Sequence, residues 1–122
     1  MHELAICQGL ISEVERVARA NGAEAVSRIT VAIGPLSGIV PELLRGAYEI
    51  ARTGTMAGRA SLFIEQTEPR VHCDSCGVES EAAPNRLLCA ACGEWRVQVV
   101  SGDEMLLKSV ELMRAEAHGA EI

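Results

Sequence analysis

Two short runs decide how this chain is read: Cys73-Asp74-Ser75-Cys76-Gly77 and Cys89-Ala90-Ala91-Cys92-Gly93. Each sets two thiols three residues apart on a tight turn. The glycine that follows lets the backbone bend until amide N–H groups point at sulfur. Two such knuckles supply four soft ligands in a tetrahedron, the closed arrangement of a structural zinc site. Residues 77–88 separate them, enough for a short hairpin or loop. The segment 70–100 is too short to bury much core and needs a staple. The same four thiolates also suit iron in a rubredoxin-like redox site, although the aromatic wrapping usual for such sites is missing. A catalytic zinc is disfavoured, because four sulfurs leave no open position for water.

Upstream of the knuckles the pattern is α-β-α-β. Leu4, Cys7, Leu10, Ile11, Val14, Val17 and Ala18 recur at three- and four-residue steps, which predicts a helix over 4–20 ending at Asn21-Gly22. Cys7 on that apolar face reads as a buried, inert core cysteine. Residues 26–33 alternate as a strand that Gly34-Pro35 breaks. Pro41 suits the first turn of a second helix over about 40–53, whose apolar stripe is Leu43, Leu44, Ala47, Ile50 and Ala51. A strand over 60–67 follows. Beyond the knuckles, 104–112 reads as a returning strand with Leu106, Val110 and Leu112 on one face. The expectation is an α+β fold with an inserted metal module: 1–69 plus 101–113 form one domain, 70–100 the ribbon, and 114–122 a C-terminal tail.

Composition narrows the function. The chain has 122 residues, 48% of them apolar but only 2% aromatic (Tyr48, Phe63 and Trp95), so an aliphatic core is expected and base-stacking surfaces are not. The net charge is −6. Within the ribbon, Arg70, Arg86 and Arg96 face Asp74, Glu79, Glu81 and Glu94, before four thiolates add further negative charge. Such a module repels phosphates, so nucleic acid is not an expected partner. No run reaches the ~20 apolar residues of a membrane span, and Met1-His2-Glu3 carries no basic or apolar leader. A cytoplasmic protein is expected, with its five cysteines serving metal chemistry and not disulfides. There is no Gly-x-x-x-x-Gly-Lys-Ser/Thr loop and no nucleophile–base constellation, so the chain does not read as an enzyme.

The first residues offer a second metal site. By spacing alone, His2 is an incidental histidine of a solvated start. Its chemistry offers more. A bulky second residue hinders removal of Met1, which keeps a free amine one residue from the His2 imidazole. That amine, the imidazole and nearby backbone amides can close fused chelate rings. Deprotonated amides favour square-planar Ni(II) or Cu(II) over tetrahedral Zn(II). Such ligands must lose protons to bind, so affinity falls as pH drops.

Together these residues resemble the HypA/HybF family of nickel-insertion accessory proteins. The resemblance rests on Met1-His2-Glu3-Leu4, Cys7-Gln8, Ile33-Gly34-Pro35-Leu36-Ser37-Gly38, Pro41-Glu42-Leu43, the two knuckles, Ser101-Gly102-Asp103-Glu104 and Leu107-Lys108-Ser109. It covers Met1 to about Leu112. It implies two helices on a three-stranded mixed sheet carrying a zinc ribbon. It also implies that Cys73, Cys76, Cys89 and Cys92 hold structural zinc, and that His2, the backbone nitrogens of His2 and Glu3, and the Met1 amine bind nickel. The implied role is a nickel metallochaperone for nickel–iron hydrogenase maturation. Its implied partners are a HypB-like P-loop GTPase, a hydrogenase large-subunit precursor and, in some members, urease maturation factors. Ala90 stands where proline is frequent in the family, which is expected to loosen the second knuckle. His72 beside Cys73 is expected to be solvated. A ribbon that only docks onto other proteins, with an idle N-terminus, is the rival reading.

Overall fold

The computed structural model describes residues 2–114; Met1 and the predicted tail beyond Arg114 lie outside the described residues. The elements run α1 (His2–Ala20), β1 (Ala25–Ile33), α2 (Pro41–Ala51), β2 (Ser61–Gln66), β3 (Arg70–Cys73), β4 (Glu79–Glu81), β5 (Val97–Ser101) and β6 (Met105–Met113). They form two three-stranded sheets, ordered β2-β1-β6 and β4-β3-β5. The fold is α+β, with two helices and a ribbon, as the sequence predicts.

The chain divides into two compact units. The first takes 2–31, 40–64 and 107–114, and holds both helices. Helix α1 buries Cys7, Leu10, Ile11, Val14 and Ala18, five of the seven residues its spacing places on one face; Leu4 is exposed and Val17 half-buried. It ends where Ala23 N–H reaches back to Ala18 O (2.9 Å) and Gly22 N–H to Arg19 O (3.1 Å), the paired bonds of a Schellman cap. Ile29 and Val31 of β1 complete an aliphatic core. One aromatic joins it: Tyr48 is buried, because its hydroxyl can donate to Ala60 O at 2.8 Å and so brings its polar atom in without loss.

Two apolar stripes differ from expectation. On α2 only Leu44 and Tyr48 are buried, whereas Leu43 and Ile50 are 57% and 70% exposed. A helix of this length covers the core with one narrow face, and the predicted stripe was wider than that face. On β6, Leu106 is exposed while Val110 and Leu112 are half-buried. Strand β6 is an edge strand, so its pattern is diluted.

The second unit takes Ala32–Ile39 and Glu65–Leu106, a larger body than the 70–100 module. Backbone bonds explain the addition. Gly34 N–H donates to Glu104 O (2.9 Å), Leu36 N–H to Gly102 O (2.7 Å) and Thr67 N–H to Ile33 O (3.2 Å). The crossing is tight: a Cβ built on Gly34 lies 2.7 Å from Gly102 Cα and closer still to its carbonyl, so only glycine fits. Strand β3 pairs antiparallel with β4 and β5, giving the ribbon a sheet of its own, and between the knuckles lie β4 and a short antiparallel bridge of Ala83 with Arg86. Strands of three to five residues carry too little alternation to be seen in sequence.

Candidate metal centres

Strand β3 ends on Cys73, and its first knuckle turns back at once: Gly77 N–H bonds Cys73 O at 3.1 Å, and Cys73 N–H bonds Val78 O at 3.0 Å. The second knuckle repeats the device. Gly93 N–H bonds Cys89 O at 2.8 Å, and Cys89 N–H bonds Glu94 O at 2.9 Å. Gly77 and Gly93 have φ of 75° and 78°, the left-handed geometry that closes each loop. The folding of the two knuckles brings Cys73, Cys76, Cys89 and Cys92 together, with their sulfurs all within 4.8 Å of one another.

The spacing tests the donor set. Cys73 Sγ lies 3.6 Å from Cys92 Sγ, and Cys76 Sγ lies 3.6 Å from Cys89 Sγ. A disulfide would need about 2.05 Å. Four sulfurs at a metal–sulfur bond of about 2.3 Å in a tetrahedron stand about 3.8 Å apart. The observed pairs fit that metal geometry.

Backbone amides prepare two of the thiols. The Cys76 and Ser75 N–H groups donate to Cys73 Sγ at 3.4 and 3.3 Å, and lower its pKa below the ordinary thiol range. The Cys92 and Ala91 amides act alike on Cys89 and bring it down to about 6. Cys92 receives the Glu94 amide, but its sulfur neighbours, Cys73 foremost, and desolvation push it up to about 12. Without a cation the first cysteine of each knuckle is shifted toward the thiolate, and the second, Cys76 and Cys92, toward the thiol. A divalent ion removes that conflict, since it makes four thiolates mutually tolerable.

The surroundings were only partly foreseen. Ala90 N–H donates to Ser80 Oγ at 3.1 Å, a tether a proline could not make, so the expected looseness of this knuckle is offset from β4. Glu94 grips Arg96 (2.9 Å) beside the second knuckle. Neither link has a signature at the level of spacing. His72 is exposed on β3 and is not among the gathered ligands.

The N-terminal residues lie in the first unit. His2 opens α1 with its side chain 67% exposed, and its Nε2 is 3.6 Å from Glu3 Oε2. Glu3 itself is buried, and its own backbone N–H, above all, holds its carboxyl below the usual range against the opposing effect of burial. The amides of His2 and Glu3 fall in the first turn, where helical geometry offers no carbonyl acceptor. The imidazole and the two amide nitrogens are thus adjacent in the first turn, with the Glu3 N–H serving the Glu3 carboxyl. Cys7, one turn further on, is fully buried and points its thiol at Leu44 O (3.4 Å); burial, and then the Glu3 charge, raise its pKa. It is the core cysteine its position predicts.

Comparison with known proteins agrees with this arrangement. Residues 1–112 match the family described as "Hydrogenase/urease nickel incorporation, metallochaperone, hypA". The chain is 45% identical over 113 residues to a hydrogenase maturation factor HypA of Nitrosospira multiformis, covering 93% of this chain and 98% of that one. It is 42% identical over 112 residues to the HypA of Aquifex aeolicus, covering 92% and 97%. The solution structure of the nickel metallochaperone HypA from Helicobacter pylori matches at a TM-score of 0.71, with 28% identity, over 93% of this chain and 99% of that one. A family match over residues 1–112, a knuckle pair and a fold shared over 93% of the chain agree: the chain belongs to the HypA family of nickel-incorporating hydrogenase maturation factors.

Proposed function

We propose that this chain binds Ni(II) at its first residues and passes it on during maturation of a nickel–iron hydrogenase, while a zinc ion held by Cys73, Cys76, Cys89 and Cys92 shapes the ribbon. The observation that carries the nickel reading is the exposed His2 that opens α1, with the backbone nitrogens of His2 and Glu3 in the same first turn. The His2 imidazole, the backbone nitrogens of His2 and Glu3, and the Met1 amine make a planar nitrogen set suited to Ni(II). An exposed set of this kind can release its cargo, because incoming ligands replace the nitrogens one at a time. Four thiolates closed around an ion cannot do so readily.

The zinc reading is supported by sulfur spacing and by amide N–H groups aimed at Cys73 Sγ. When bound, zinc supplies the crosslink that the short strands β3, β4 and β5 lack on their own. The donor set suits iron as well, so a colourless preparation containing zinc separates the two. Delivery, not catalysis, is the role. A HypB-like P-loop GTPase supplies nucleotide hydrolysis, a hydrogenase large-subunit precursor receives the metal, and urease maturation factors are a second outlet. Five free cysteines suit the reducing cytoplasm.

The test is metal stoichiometry of the full chain, wild type beside His2→Ala. The variant is expected to lose nickel binding in calorimetry while its zinc content and far-UV dichroism stay unchanged. Equal nickel affinity in both proteins would remove the N-terminal site. Acidification is expected to weaken nickel binding, as protons compete for the imidazole and amide nitrogens.

A further inference from the structure

The four sulfurs of the ribbon are not equivalent. Cys73 and Cys89 are buried, at 0% and 2% exposure, whereas Cys76 and Cys92 are exposed. The two sulfur contacts at 3.6 Å each join one of either kind, and both run between the knuckles: Cys92 with Cys73, and Cys76 with Cys89. With a divalent ion bound, all four sulfurs are thiolates, so exposure decides which of them a small oxidant meets. Behind each exposed sulfur a buried one already stands in contact. Redox-active cysteine pairs divide their work in this way, one member reached by the oxidant and the other resolving it. Closing either contact to a disulfide brings the sulfurs together by about 1.5 Å.

We propose that the ribbon is an oxidation site for hydrogen peroxide, in which Cys92 and Cys76 react first and Cys73 and Cys89 resolve them, giving cross-knuckle disulfides Cys73–Cys92 and Cys76–Cys89 and freeing the zinc; it rests on the zinc reading of the four-cysteine site. In the first step an exposed thiolate attacks one peroxide oxygen. The O–O bond breaks, a sulfenic acid forms and hydroxide leaves. In the second step the buried thiolate attacks the sulfenic sulfur. The S–O bond breaks, the S–S bond forms and a second hydroxide leaves. Each cysteine pair gives two electrons to one peroxide, and both hydroxides take up protons to become water. Once both pairs have reacted, no thiolate remains to hold a divalent ion, which leaves as the free cation. The two bonds keep residues 73–76 against residues 89–92, so covalent links replace the metal as the closure of the ribbon. A thiol reductant reverses both. Ligand exchange frees this ion slowly, whereas oxidation of its ligands removes the site itself.

The full chain, as purified, serves for the test. Its metal content before oxidation checks the zinc reading alone, since a chain without zinc fails that reading while its disulfide pairing is still read. Limiting hydrogen peroxide is added, remaining thiols are capped with iodoacetamide, and the chain is cut with trypsin. Cleavage after Arg70, Arg86 and Arg96 puts the knuckles on separate peptides, 71–86 and 87–96. Mass spectrometry is expected to find these peptides joined until a reductant is added, whereas bonds within a knuckle leave them apart. In singly bonded species, caps on Cys76 and Cys89 mark the Cys73–Cys92 bond, and caps on Cys73 and Cys92 mark the other. A chromogenic chelator is expected to register complete loss of zinc once both bonds form, and zinc is expected to rebind after dithiothreitol. Cys7, fully buried in α1 with its thiol on Leu44 O, is expected to stay reduced. His2→Ala should oxidise as wild type does, which separates failure here from failure of the nickel reading. The proposal is overturned by unjoined peptides, by a predominance of Cys73–Cys89 or Cys76–Cys92 bonds, by zinc retained in the doubly bonded chain, or by thiols that survive excess peroxide in the ribbon.

Discussion

Gly34→Ala isolates a contact that involves no metal, no charge and no exposed side chain. The Cβ it adds would sit 2.7 Å from Gly102 Cα and nearer to the carbonyl of that residue. Carbon atoms rest at about 3.5–4.0 Å, so the two backbone segments must part by about 1 Å or more. Neither can yield alone. Gly102 is itself held at φ 117°, with its own Cβ position 2.7 Å from Pro69 Cα. Parting them stretches Gly34 N–H to Glu104 O and Leu36 N–H to Gly102 O, now 2.9 and 2.7 Å. Two backbone bonds at about 1 kcal/mol each and overpacking at about 1–3 kcal/mol give a loss of about 3–5 kcal/mol. That is a large share of the ~5–15 kcal/mol of an ordinary domain. The expected fall in Tm, read by dichroism at 222 nm, is roughly 10–20 °C. Gly9→Ala is the control. It makes the same chemical change on an exposed part of α1 where a Cβ meets nothing within 4 Å, and should gain about 0.5–1 kcal/mol. If Gly34→Ala melted within about 2 °C of wild type, the crossing would not be the constraint described.

Cys73→Ser leaves three thiolates and removes the sulfur that two amides serve. It is expected to cost the ribbon its metal, seen as loss of zinc by mass spectrometry, and to reduce the strand signal while the α-helical signal at 222 nm persists; retained zinc would contradict a structural site. Tyr48→Phe removes the donor to Ala60 O but leaves Arg52 Nη1 bonded to that carbonyl at 3.0 Å. The expected loss in urea denaturation is therefore only about 1 kcal/mol, and a loss of about 3 kcal/mol would mean that Arg52 does not compensate.

What the residues disclosed in advance follows from the range of each signal. The knuckles were legible because metal ligation needs sulfur at a fixed, local spacing, and the metal site is the sum of two local facts. Helix α1 was legible because one face of it is buried and one is not. Helix α2 shows where this logic stops. Periodicity reports that a face is apolar, but it does not report what covers it. Leu43 and Ile50 therefore counted as core beside Leu44, although they face away from it. Gly34 shows a second boundary. Gly34-Pro35 read as the end of a strand, which it is. The stronger reason for glycine is a carbonyl sixty-eight residues away at Gly102, and no local pattern contains it. Ala90 shows a third. Against the family pattern its lack of proline looked like a weakness, yet the amide that proline would delete is the one that bonds Ser80 Oγ. In each case the missing information is the same: which atom arrives from a distant part of the chain.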